Sequence, residues 1–299
     1  MSLAARGAGA TGASVDPTDL LRNLEDRVRS YGRTDAVVAF SGGVDSAVVL
    51  AVAARALGRS RVTAVTAVSP SYPSGELDQA RALASSLRVR FREIRTREVE
   101  QPDYARNDAL RCFHCKTELY STLRSVRAVV GTGTVVLSGA NAEDTDDFRP
   151  GLRAAAEFGV RNPLLEEGLA KRQVRAVAAS IGLPVADKPA MACLSSRVAF
   201  GIPITAGLLA QIDRAEQRVR ALGFDQVRVR HRDDMATVEV APNEVERLRA
   251  LAAQGDILQE LRAMGWRRVQ IDPVGYRPGS MNATLVSLQP RRRRATAPR

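Results

Sequence analysis

The feature that most limits what this chain can fold into is residues 35–57, DAVVAFSGGVDSAVVLAVAARAL. Residues 35–40 are apolar and β-branched, which predicts a short buried strand. Residues 41–46, SGGVDS, are small and polar and form a loop. Residues 47–57 are apolar and Ala-rich, which predicts a helix packed closely on a sheet. A strand, a glycine loop and a helix start, in that order, make an anion site. The first N–H groups of a helix have no intrahelical partner, and its dipole favours negative charge there. Gly42 and Gly43 let the backbone approach a phosphate with no Cβ in the way. Ser41 and Ser46 add hydroxyl donors. The spacing is neither the Walker pattern, which needs a Lys on the phosphates, nor GxGxxG.

The rest of the chain supports that start. Strands are predicted at 61–68, 89–94 and 134–138, and helices at 17–31, 76–87, about 117–126 and 171–181. Strand and helix alternate, so the expected fold is α/β, a parallel sheet with helices on both faces. Composition changes after Pro203. Helices at 207–222, 242–252 and 256–264, with strands at 226–230, 237–240 and 267–271, predict a small α+β domain, ferredoxin-like in outline. The expected organisation is a disordered segment 1–17, a nucleotide domain 18–202, the small domain 203–288 and a basic tail 289–299.

Charge narrows the partners. The formal net charge is +11, part of it in the tail at Arg291–Arg294. No basic stretch is interleaved with aromatics, as single-strand binding would require, so a polyanionic small molecule explains the balance better than nucleic acid. Lys occurs only at Lys116, Lys171 and Lys188, against Arg everywhere else. A Lys kept in such a chain hints at a need for a compact ammonium. No apolar run is long enough to cross a bilayer, and residues 1–16 carry no signal-peptide core. Three Cys without a secretory signal point to a reducing, cytoplasmic setting.

Those Cys fall in two motifs, RCFHCK at 111–116 and KPAMACLSSR at 188–197. Cys112 and Cys115 cannot form a Cys₄ zinc site in one chain with only Cys193 to add. Zinc held by three Cys and either His114 or His231, a redox dithiol, and an iron–sulfur cluster held by three thiolates remain open. Arg111, Lys116 and Arg197 are expected to lower the thiol pKa values. The acidic loop after the fourth strand, with Asn141, Glu143, Asp144, Asp146 and Asp147, stands where the sheet binds ligands and offers oxygen donors for Mg²⁺. The strand VRVR puts Arg228 and Arg230 on one face, a pairing suited to a phosphate.

SGGVDS resembles the signature of the PP-loop ATP pyrophosphatases. Together with RCFHCK, KPAMACLSSR, VRVR and GYRPGSMN in this order, the chain looks like the LarE family from about residue 20 to 288. That resemblance implies an ATP-dependent sulfur transferase of nickel-pincer nucleotide biosynthesis. It adenylates a carboxylate of pyridinium-3,5-dicarboxylate mononucleotide, releases PPi, and lets sulfur displace AMP. By position it implies that Ser41, Gly42, Gly43, Asp45, Ser46 and Asn141 hold ATP with Mg²⁺. It places Ser196 and Arg197 at the nucleophile loop and Arg228 and Arg230 at the substrate phosphate. Glu239 is the candidate metal or proton-handling group. In one branch a single Cys, here Cys193, gives up its own sulfur. In the other, three Cys matching Cys112, Cys115 and Cys193 hold a [4Fe–4S] cluster, and the full set favours that branch. The resemblance also implies a homo-oligomer. A PP-loop tRNA thiolase and an amidating ligase are the rival readings.

Overall fold

The computed structural model describes residues 16–131, 133–145, 150–189 and 191–277. The basic tail, Asp146, Asp147 and most of GYRPGSMN lie outside the described residues. Helix α1 (Pro17–Ser30) opens on an Asp16 side chain that accepts from Thr18 N, with Pro at its start. Then come β1 (Asp35–Ala39), α2 (Val44–Leu57), β2 (Val62–Val68), α3 (Glu76–Ser86) and β3 (Arg90–Arg95). They are followed by the short α4 (Pro102–Ala105), α5 (Arg111–Val130), β4 (Thr134–Leu137), α6 (Pro150–Glu157), α7 (Pro163–Glu166) and α8 (Lys171–Ser180).

The four strands are all parallel, in the order β3-β2-β1-β4. The chain moves outward from β1 through β2 to β3, then returns to the other side of β1 for β4. That reversal creates a crevice at the carboxyl ends of β1 and β4, where open α/β sheets take ligands. One face of the sheet carries α2 and α3, with α1 and α8 packed on α2, in one core that includes Leu24, Val48, Val52, Ala80 and Val174. The other packs against α5 and α6 through Val37, Val65, Leu123 and Ala154. Helix α2 is buried nearly all round, which explains its lack of a polar face.

The chain continues with α9 (Ala206–Arg220), β5 (Val227–Arg232), β6 (Met235–Val240), α10 (Val245–Gln254), α11 (Ile257–Ala263) and β7 (Arg268–Ile271). β5 and β6 form an antiparallel hairpin, and β7 adds parallel to β6. The ferredoxin-like outline is therefore corrected. Among the described residues the second sheet is three-stranded and mixed, and β5 passes directly to β6 with no helix between. Its core takes in Tyr104, Leu194 and Val198, with Val99 and Cys115 packed against it. The segment before residue 203 is thus shared between the two cores. No helix among the described residues is long and apolar enough to cross a membrane.

Candidate active site

Helix α2 starts at Val44, inside the predicted loop, so Asp45 and Ser46 sit in its first turn. Gly42 has φ +77°, and a Cβ there would stand 3.2 Å from the Ala80 Cβ on α3. Gly43 is the N-cap and no side chain caps the helix start, which leaves the first amides for an anion. Ser46 Oγ accepts from Ser41 N at 3.2 Å, lies 3.1 Å from Ser41 Oγ and donates to the Gly43 carbonyl at 3.1 Å. The loop is thereby held in a tight ring.

The β4 end closes on this ring. A Cβ on Gly139 would stand 2.7 Å from Ser46 N, so only glycine allows this approach. Asn141 Nδ2 donates to Asp45 Oδ1 at 3.2 Å, and Lys171 of α8 pairs with the other oxygen of Asp45. Lys171 was marked in the sequence only as a retained Lys, since nothing local links it to a loop 126 positions away. Lys188 pairs with Glu76 at 2.6 Å. In the acidic loop, Asp144 accepts from Asn141 N at 3.0 Å and Glu143 from Lys171 N at 2.9 Å.

The thiols stand on two other elements. Helix α5 begins at Arg111, six residues before its expected start, so RCFHCK is its first turns. Cys112 and Cys115 lie one helical turn apart; Cys112 is exposed and Cys115 half-buried. Burial pushes the Cys115 thiol up to about 12, although Lys116 works to lower it. The expectation of a cation-lowered thiol is corrected for Cys115, because desolvation outweighs the neighbouring charge. Two of the three expected cations are committed elsewhere. Arg111 donates to Asn107 Oδ1 at 2.6 Å and to the Ser195 carbonyl at 2.9 Å. Arg197 is turned to Glu216. The pKa of Lys116 is raised, by Tyr120 first and then by Cys115, Cys112 and Cys193. Its ammonium lies 5.9 Å from the Tyr120 ring centroid.

Cys193 caps a short 3-10 turn, Leu194–Arg197, gripped from several sides. Arg197, 1 % exposed, makes a bidentate pair with Glu216 at 2.8 and 3.1 Å. Its third nitrogen donates to the carbonyls of Ala192 at 2.7 Å and Cys193 at 3.0 Å. Glu216 also accepts from Val229 N at 3.0 Å. Burial works to raise the Glu216 pKa, but Arg197 and Arg220 outweigh it and hold the carboxyl below its ordinary value. Ser195 Oγ meets the Tyr104 hydroxyl at 2.5 Å, and Leu194 N donates to the Ser71 carbonyl at 2.8 Å.

Arg228 and Arg230 share a face, as expected, but line a buried seam rather than an open strand surface. Arg228 is 6 % exposed, stacks 5.3 Å from the Tyr276 ring centroid and donates to its neighbour's carbonyl at 2.7 Å. Burial, then the nearby Arg197, brings its pKa down to about 10. Arg230 pairs with Glu239 at 3.0 Å and donates to the Ser196 carbonyl at 3.0 Å. Burial raises the Glu239 pKa against the pull of Arg230. Glu239 is thus the ion-pair partner of Arg230.

Among the described residues no group of three or more His, Cys, Asp or Glu is arranged to hold a single metal ion. His231, one of the two His weighed for zinc, accepts at Nδ1 from Trp266 Nε1 at 2.9 Å. Two of the three thiols do stand on elements that meet: Cys115 packs against the core that holds Leu194, the neighbour of Cys193.

A parallel sheet, a glycine loop at its switch point and an uncapped helix start define an ATP-dependent PP-loop enzyme. The model of the NAD synthase family matches residues 18–110. A glutamine-dependent NAD(+) synthetase of Rhodobacter capsulatus is 38 % identical over 91 residues, 30 % of this chain and 16 % of its own. Longer similarity lies elsewhere. The pyridinium-3,5-bisthiocarboxylic acid mononucleotide synthase of Lactiplantibacillus plantarum is 36 % identical over 84 % of this chain and 90 % of its own. An uncharacterized protein of Synechocystis sp. is 39 % identical over 88 % of this chain and 98 % of its own. The chain belongs to the family of that synthase, the LarE family.

Proposed function

We propose that this protein is the sulfur-inserting synthase its relative's name describes. It converts a carboxylate of pyridinium-3,5-dicarboxylate mononucleotide to a thiocarboxylate, in building a nickel-pincer nucleotide. The observation that carries the reading is that the start of α5 and the Cys193 loop meet: Cys115 packs against the core that holds Leu194, and Arg111 donates to the Ser195 carbonyl at 2.9 Å. An amidating ligase has no use for that arrangement.

A carboxylate resists nucleophiles because it is anionic and lacks a good leaving group. A substrate carboxylate oxygen attacks the α-phosphorus of ATP, and the bond to the β-phosphate oxygen breaks, releasing PPi. Ser41, Gly42, Gly43 and Ser46 supply hydroxyls and amides for the phosphates, and Asp45 with Asn141 sets the helix start. Oxygen donors there suit Mg²⁺ on the pyrophosphate. Sulfur then forms a bond to the acyl carbon, and the bond to AMP oxygen breaks. Lys116 stabilises anionic sulfur. Arg228 and Arg230, near the Cys193 loop, bind the substrate phosphate, with Glu239 orienting Arg230. Ser196 and Arg197 hold the nucleophile loop in shape.

The sulfur comes through the three Cys. A [4Fe–4S] cluster bound there would offer an open iron for an extra sulfide. The second reading keeps Cys193 as its own donor. The Cys193 Cβ–S bond breaks as the Cα proton leaves, giving the thiocarboxylate and dehydroalanine. The grip on the Cys193 carbonyl by Arg197 favours keeping this reading. Protein purified anaerobically, with iron and acid-labile sulfide assayed, separates them. Iron and sulfide lost alike in Cys112→Ala, Cys115→Ala and Cys193→Ala variants supports the cluster. Iron-free protein that shows a mass loss of H₂S at Cys193 supports the sacrificial donor. PPi release without any thiocarboxylate would refute both. The small domain and the exposed Val274 offer surface for a homo-oligomer, which light scattering would test.

A further inference from the structure

Residues 69–75, between β2 and α3, bond to the Ser41 loop, the Cys193 loop and α9. The Tyr72 hydroxyl donates to the Ser41 carbonyl at 3.0 Å, at the start of the phosphate loop. One residue earlier, the Ser71 carbonyl accepts from Leu194 N at 2.8 Å, next to Cys193. Ser71 Oγ donates to Glu98 at 2.8 Å, and Ser69 Oγ donates to the same carboxylate oxygen. At the far end, Ser74 N donates to Asp213 of α9 at 3.2 Å, and Ser74 Oγ to the other Asp213 oxygen at 2.5 Å. Two prolines, Pro70 and Pro73, stiffen the segment. A Tyr72 N–H to Ser69 carbonyl bond at 3.0 Å makes a turn of it. It also has room to move: a cavity of about 230 Å³ lies between it and α9, lined by Ser69, Tyr72, Leu194, Ala210 and Asp213.

We propose that residues 69–75 act as a lever that couples nucleotide occupancy at Ser41 to the placement of Cys193, with Tyr72 as its positioning residue. The inference rests on the functional reading above for what Cys193 does, but not for whether it moves. A phosphate that recruits the Gly42 amide pulls on the same peptide unit whose carbonyl Tyr72 holds. The stiff segment passes that shift to the Ser71 carbonyl, and so to Leu194 N and the Cys193 backbone. Asp213 anchors the other end, so a displacement at Tyr72 becomes a tilt. Coupling of this kind would present sulfur only when an adenylate is there to accept it.

The test uses the full chain without added iron and a non-hydrolysable ATP analogue. The rate of iodoacetamide labelling at Cys193, read by peptide mass spectrometry, is compared with that at exposed Cys112. The expected result is a change of threefold or more at Cys193 on analogue binding, with Cys112 unmoved. Tyr72→Phe should abolish that change while analogue affinity stays within twofold. Asp213→Asn, which weakens the far anchor, should reduce the change by half or more. An unchanged Cys193 rate in the natural protein, or an undiminished response in Tyr72→Phe, would overturn the proposal. A protein that makes no thiocarboxylate yet shows the nucleotide-dependent labelling would refute the functional reading and leave the lever standing.

Discussion

The phosphate loop and the Cys193 loop are built on opposite principles. The first is made of backbone. Its small residues 41–46 bond mostly among themselves, and its charge comes from a helix start. The second is made of side chains brought from afar. Cys193 is placed by Arg197, Glu216, Tyr104, Arg111 and the Ser71 carbonyl, from four different stretches of the chain. A site of backbone can be written in six consecutive letters. A site of side chains needs the whole fold to be right first. The difference also sets what each can tolerate. Backbone sites fail through added bulk, whereas buried side-chain networks fail through lost partners.

The sharpest break of that comparison is at the buried pair. Arg197→Met leaves Glu216 buried without its main partner, and should cost about 3–5 kcal/mol of stability in chemical denaturation. The doubly neutral Arg197→Met/Glu216→Leu variant should recover much of that stability and still lose the Cys193 placement. If the single variant is as stable as the natural protein, the network reading fails.

Next comes Gly139→Ala, the addition of one methyl to the backbone site. Its Cβ cannot fit 2.7 Å from Ser46 N, so β4 and α2 must separate. The expected outcome is a loss of tenfold or more in ATP affinity by calorimetry, with a stability cost of about 1–3 kcal/mol. Unaltered ATP binding would mean the approach of the two elements is not needed.

Lys171→Met tests a long-range side chain in the backbone site. Asp45 would lose its cation but keep Asn141, and ATP affinity should fall by about threefold to tenfold, about 1 kcal/mol as for a partly exposed pair. A larger effect would make the nucleotide site as dependent on distant side chains as the Cys193 loop.

The smallest effects concern pH. Glu216 has a lowered pKa in the fold, so it contributes stability above its unfolded value. That contribution is lost as pH falls through the folded value, so acid unfolding should shift to higher pH in Arg220→Ala, which removes one of the groups lowering it. Cys115, pushed up to about 12, stays a thiol through neutral pH. In the metal-free protein its alkylation at pH 8 should therefore be several-fold slower than that of exposed Cys112. Equal rates would mean that Lys116 prevails over burial.

The reach of the sequence follows the same division. The β1–loop–α2 unit could be read because its signals are local: β-branched run, glycines, apolar Ala-rich helix. The early start of α5 escaped because Cys, Phe and His are weak helix formers, and only packing against the second core decides the matter. The ferredoxin-like outline failed because strand count and pairing are set by partners, which periodicity does not name. VRVR gave the shared face of Arg228 and Arg230 but not their burial. That burial comes from the Cys193 loop and Tyr276 folding over them.

By itself, then, the sequence determined the parallel sheet, the phosphate loop and the family, since all three depend on short-range pattern. The tertiary structure alone decided that burial outweighs Lys116 at Cys115, that Arg197 is buried against Glu216, and that residues 69–75 bond to both loops. Those outcomes depend on desolvation and on contacts between residues more than 15 positions apart, and neither quantity exists until the chain has closed on itself.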